Sequence, residues 1–127
     1  MAKKNLGLGL DVLLTASEAH HNMSGEDKLL ERARSLLEKA IDQDELGTSF
    51  EAYYYYRQVI DLLEEAVEPN ITEIPLLLSQ ALNNTAIILF ENGQQESALS
   101  FLERALVICP ENNMARENIG LLKAALE

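Results

Sequence analysis

Very little in this chain could staple it or break it. Its 127 residues hold one cysteine, three prolines, six glycines and no tryptophan, and aromatic residues make up 6%. The lone cysteine, Cys109, excludes an intramolecular disulfide and allows a reducing compartment. It precedes Pro110 at the end of a helical pattern, where a small buried apolar residue is expected. With so few glycines and prolines, two of the glycines within the first nine residues, the body reads as long segments, which favours helices over many short strands. Uninterrupted apolar runs of about 18 residues are also missing, so no transmembrane helix is expected.

Bases are scarce as well. Ten Lys and Arg face twenty-one Asp and Glu, for a net charge of −11. The imbalance is local: from Asp42 to Glu103 there are twelve acids and one base, Arg57, while the remainder has nine of each. Such a surface repels phosphates, so nucleic acid is not an expected partner. A basic peptide or protein face suits it better, although acids at these positions also serve simply to solvate helix surfaces.

At the N-terminus, Lys3 and Lys4 precede Leu6-Gly-Leu-Gly-Leu10, the outline of a secretion signal. Asp11 interrupts the short, glycine-broken apolar stretch, so a cytoplasmic location is expected. Leu10, Leu13 and Leu14 have helical spacing, and residues 1–24 are read as a leader or a short capping helix, with His20-His21 in a linker. Residues 25–127 are read as one helical domain of five main helices.

The first helix is expected at Glu26–Asp44, capped by Ser24, with an apolar stripe of Leu29, Ala33, Leu36, Leu37, Ala40 and Ile41. Gly47 ends the connection, and Thr48-Ser-Phe-Glu51 has the form of a capping box. A second helix is expected from Ser49 to Glu68, with Phe50, Tyr53, Tyr56 or Val59, Ile60, Leu63 and Val67 facing inward. Pro69-Asn70 breaks it. Thr72 can cap a third helix running to Glu91, in which Pro75 is tolerable because a first-turn residue needs no N–H. Asn92-Gly93 closes that helix. A fourth spans Gln95–Ile108, with Ala98, Leu102, Ala105 and Leu106 inward, and a fifth about Asn113–Leu126. Short connections predict antiparallel neighbours.

Within this pattern lies a repeat. Ala81 recurs as Ala115, Asn84 as Asn118 and Ala86 as Gly120, each 34 residues on. Leu82, Ala86, Leu89, Gly93, Ala98, Leu102, Ala105 and Pro110 fall where a tetratricopeptide repeat places its large, small, turn and closing residues. The chain therefore resembles the tetratricopeptide family over 79–112. Residues 113–127 resemble a further first helix, and 33–66 an earlier repeat, stretched by twelve extra residues before Ser79. The resemblance implies an all-α helical-hairpin solenoid of about two and a half repeats. The extra residues are expected to lengthen the second and third helices into a leucine- and acid-rich platform, Leu62–Leu78.

The family's first helices line a concave groove. By that likeness Gln80, Asn83, Asn84, Ile87, Phe90 and Glu91 face the groove, joined by Met114 and Asn118, with Asn84 and Asn118 equivalent. An asparagine there offers an extended peptide both a donor and an acceptor. It can equally be a polar residue that supports the helix surface. The carboxylate-clamp variant of the family is not expected, because Met114 and Asn118 stand where its later lysine and arginine would be. Residues 3–14 are similar to the leader of ParB-type chromosome-partition proteins, which implies a docking peptide; the other reading is a cap packed on Leu29–Ile41.

Other candidates give less. Tyr53-Tyr54-Tyr55-Tyr56 covers every side of one helical turn, so some rings belong to the core and at least one lies near the surface. Adjacent His20-His21 rarely converge on one ion, so no metal is expected. No nucleophile–base set or phosphate-cradling glycine loop is recognisable, so neither catalysis nor a cofactor is expected. The expected function is a protein-interaction scaffold holding a peptide or helix. The alternatives are a small acidic chaperone for a secretion or assembly partner, and a structural subunit that forms a homodimer. No membrane partner is expected.

Overall fold

The computed structural model describes residues 25–66 and 73–127. Five helices occur there and no strand: α1 (Gly25–Glu45), α2 (Ser49–Glu64), α3 (Glu73–Glu91), α4 (Gln95–Ile108) and α5 (Asn113–Leu126). Expectations about residues 1–24, Val67, Pro69-Asn70 and the Thr72 cap lie outside the described residues.

Two helical hairpins are closed in the same way. Gly47 and Gly93 take left-handed φ values of 88° and 84°. In each, the glycine N–H donates three residues back, Gly47 to Asp44 and Gly93 to Phe90, at 3.1 and 3.0 Å. The next residue donates five back, Thr48 to Gln43 and Gln94 to Leu89, at 3.0 and 2.8 Å. This Schellman closure satisfies carbonyls that a helix end leaves open, and it requires a residue without a Cβ penalty. The Thr48–Glu51 capping box does not form. The reversal at Gly47 carries the Thr48 hydroxyl back over α1, where it donates to the Gln43 carbonyl at 2.9 Å and to the Gln43 side chain.

One apolar core runs through both hairpins. Ala33, Leu37, Ala40, Tyr56, Val59, Leu77, Ala81, Leu82, Ala86, Ala98, Ala105 and Ala115 are all within 1% of full burial. The alanines sit where helices cross, and the leucines fill the volume beside them, each fully buried large side chain contributing roughly 1.5–3 kcal/mol. Phe50 departs from expectation: it is 86% exposed. It lies two residues before buried Ala52, about 200° round the helix at 100° per residue, and so opposite the core stripe. The tyrosine quartet divides by the same rule into buried Tyr56, half-buried Tyr53 and Tyr55, and exposed Tyr54.

α2 stops at Glu64 rather than continuing to Glu68, and Ala66 N–H closes on Leu63 O at 3.1 Å. Leu63 is the last buried residue of the helix. Beyond it come Glu64 and Glu65, placed against the negative end of the helix dipole with no base in the last turn. Of the described residues of the expected platform, Leu63, Ile74, Leu77 and Leu78 join the core, and 67–72 lie outside the described residues.

Side-chain links set the directions. Arg34 of α1 pairs with Glu73 of α3, and Asp44, ten residues on, meets Tyr56, on which Asn84 of α3 also acts. Ser79 and Asn83 meet Asn112 and Asn118 in the same order. Helices α1, α3 and α5 therefore run the same way, with α3 between the other two. α4 returns along α3, Ser79 Oγ donating to Ala105 O at 2.8 Å. α3 has the length and hydropathy of a bilayer span, yet 72% of that stretch is buried within the protein, as befits its central place.

Candidate functional site

The candidate site is the strip of α3 and α5 that carries the repeat asparagines. On α3, residues four apart lie one above another, which stacks Gln80, Asn84 and then Ile88 beside Asn83, Ile87 and Glu91. Asn83 and Asn84 are fully buried, Ile87 is 1% exposed and Asn118 2%. Gln80 and Phe90 are half-buried, Glu91 is exposed, and Met114 is 41% exposed. The sequence-selected residues thus form a buried polar centre with an accessible rim.

That centre is a relay of amides. Asn118 Nδ2 donates to Asn83 Oδ1 at 2.8 Å, and Asn83 Nδ2 donates to Asn84 Oδ1 at 3.0 Å. Next to it the Tyr56 hydroxyl donates to Asp44 Oδ2 at 2.9 Å. Burial and then the neighbouring Asp44 carboxylate push the Tyr56 pKa far above its ordinary value, while Asn84 pulls it back. A carboxylate from α1, a phenol from α2 and amides from α3 and α5 are therefore joined inside one low-dielectric region, where hydrogen bonds between elements fix register. One buried atom on this strip, Gln80 Oε1, has no hydrogen-bond partner among the described residues, whereas Asn84 Nδ2 faces the Tyr56 hydroxyl oxygen.

A second junction was not read from the sequence. Asn112 caps α5 by accepting from Ala115 N–H at 3.0 Å, while its Nδ2 donates to Ser79 Oγ at 2.8 Å. One side chain thereby ties the start of α5 to α3 and, through Ser79, to the end of α4. The available signal was an asparagine directly before a helical stretch.

The opposite side is different in kind. Arg57 of α2 and Arg104 of α4 each lie 5.6 Å from the centroid of the Phe101 ring, and Arg104 pairs with Glu64. These contacts join α2 to α4 on the surface. An open depression of about 480 Å³ is lined by Phe50, Glu51, Tyr53, Tyr54, Tyr55 and Arg57. Its described lining comes from α2 alone, so it brings no set of groups from different elements together.

Cys109 is buried, and its thiol meets Glu111 Oε2 at 3.5 Å. Burial, then this carboxylate, pushes the Cys109 pKa up, which disfavours a reactive thiolate. No three His, Cys, Asp or Glu side chains among the described residues gather as a metal site would require. No family model matches the chain, and no curated protein or solved structure matches it.

Proposed function

We propose that the chain is a tetratricopeptide-like interaction scaffold that holds a peptide or helix along the face of its first helices, α3 and α5 above all. The observation that carries this reading is the repeated construction. Two hairpins share one glycine closure, and three first helices run in one direction with polar side chains handed from each to the next. Repeats stacked in this way generate an extended recognition surface. The accessible rim supplies an apolar group, Met114, half-buried Phe90, and a carboxylate, Glu91. With a net charge of −11, it favours a basic or apolar partner over an acidic one.

The test uses the rim, because the buried asparagines also hold the fold. Wild-type chain, Glu91→Lys with Met114→Glu, and Glu103→Lys at an exposed position of α4 are compared as baits in extract of the source cells, with quantitative mass spectrometry. The rim variant should lose a defined partner at least tenfold while melting like wild type, and Glu103→Lys should keep it. A partner set indifferent to the rim change removes the groove from the proposal. A homodimeric reading draws on α5, where Leu121 and Leu126 are 50% and 42% exposed. Sedimentation of Leu126→Lys separates it, since only that reading requires a loss of dimer.

A further inference from the structure

The outer face of α2 carries aromatic rings that lie outside the core. Phe50 is 86% exposed and Tyr54 63%. Four residues apart on one helix, they stand on the same side, about 6 Å apart along its axis. Tyr54 meets half-buried Tyr55 edge-on, with ring centroids 5.6 Å apart, which gives its ring a fixed neighbour. Glu51 is exposed beside them and makes no ion pair among the described residues. These groups line the open depression of about 480 Å³. Single exposed apolar side chains are ordinary, whereas grouped ones rimmed by polar residues mark contact sites.

We propose that this face is a docking surface for arginine side chains of a basic partner segment. One turn beyond Tyr54 the molecule performs the same chemistry with its own residues. The Phe101 ring has the guanidinium carbons of Arg57 and Arg104 at 5.6 Å from its centroid. Each arginine also faces a carboxylate, Arg57 that of Asp61 at 3.9 Å and Arg104 that of Glu64. Ring, guanidinium and carboxylate thus act as a unit, twice. Phe50, Tyr54 and Glu51 repeat the ring and the carboxylate without a guanidinium of their own. The one base among the described lining residues is Arg57, which is engaged by Phe101 and Asp61.

Charge selects the occupant. The exposed charged groups of α2 and its C-cap are Glu51, Asp61, Glu64 and Glu65, against the half-buried base Arg57. A second copy would bring the same acids and a net charge of −11 to the contact, which disfavours self-association. An uncharged apolar segment would strip water from Glu51 and return no partner to it. An arginine does both tasks, because its planar guanidinium stacks on a ring while its N–H groups reach a carboxylate; the compact lysine ammonium holds its water more tightly and has no face to stack. The depression is open and its described lining belongs to α2, which suits a segment laid across the surface rather than an enclosed small molecule. In an extended segment alternate residues lie about 6.8 Å apart, close to the spacing of Phe50 and Tyr54. This face shares no residue with the α3–α5 strip and acts independently of it.

The test uses the full chain and two probe peptides of equal charge, four Ala-Arg repeats and four Ala-Lys repeats with blocked ends, in titration calorimetry at low salt. The chain should bind the arginine peptide at least fivefold more tightly than the lysine peptide. Phe50→Ala with Tyr54→Ala should melt like wild type, because both side chains are exposed, and should lose that preference. Tyr54→Phe, which keeps the ring, should retain it, and Glu51→Gln should weaken both peptides. Glu91→Lys with Met114→Glu should leave the preference intact, which separates this face from the groove of the scaffold. Equal affinity for the two peptides, binding of neither, or a preference that survives loss of both rings overturns the proposal. So does a wild-type dimer in sedimentation that Phe50→Ala dissolves, since a second copy would then hold the face.

Discussion

Tyr56→Phe deletes one oxygen from the centre of the molecule and tests the buried network directly. Tyr56 is fully buried and Asp44 is 2% exposed, and the phenol donates to the carboxylate at 2.9 Å. A buried hydrogen bond to a charged group is worth about 1.5–3 kcal/mol, so the variant should lose that much at pH 7. This is a large share of the roughly 5–15 kcal/mol that holds a domain together. Alkali supplies a second signature. The Tyr56 pKa is raised on folding, mainly by burial and then by Asp44. The protonated phenol therefore contributes stability that is complete below the unfolded value near 10 and declines as pH rises beyond it. The decline is about 1.4 kcal/mol per pH unit, and the variant, with no phenol at this position, lacks it. The gap between wild type and variant should thus be constant from pH 7 to 9 and shrink by about 2 kcal/mol by pH 11.5. Tyr53, Tyr54 and Tyr55 are present in both chains and cancel in the difference. Urea unfolding followed by circular dichroism measures it. A cost below about 0.5 kcal/mol at pH 7, or a gap unchanged in alkali, refutes the buried Tyr56–Asp44 bond.

Two further changes address the closure and the thiol. Gly93→Ala places a Cβ on a left-handed residue with φ 84° and open space around it, so only the backbone cost of about 1–2 kcal/mol should appear in urea unfolding. A loss above about 4 kcal/mol would mean that the turn is packed rather than open. Cys109 should react with a disulfide reagent at pH 8 far more slowly in the native chain than in urea, because burial and Glu111 hold it as a thiol. Equal rates in the two states would show that its burial is wrong.

What the sequence made legible is what depends on local rules. Helix periodicity and Asn92-Gly93 gave α3 and α4 their ends, since amphipathic spacing and a left-handed glycine are written into adjacent residues. The errors came where packing or turn geometry overrides the local pattern. Phe50 is apolar but 86% exposed, because the phase of α2 is set by Ala52, Tyr56 and Leu63 meeting other helices. Thr48 looks like a cap, yet the turn geometry at Gly47 hands its hydroxyl to the preceding helix. α2 ends one residue past its last buried side chain, Leu63, rather than at the last good helix former. The site was half legible: a 34-residue offset paired Asn84 with Asn118, but nothing in that offset told that Asn83 would stand between them.

That intermediary changes what the asparagines do. Had Asn84 and Asn118 projected freely, each could have gripped a ligand alone. Instead Asn118 donates to Asn83, which fixes α5 against α3, and Asn83 donates to its own neighbour Asn84 within α3. Asn84 Nδ2 in turn faces the hydroxyl oxygen of Tyr56, whose own proton is committed to Asp44. On the proposed reading, recognition along this strip is tied to the register of the helices around it. Partner binding and the stability of α5 should accordingly rise and fall together, a coupling that a groove lined by independent side chains would lack.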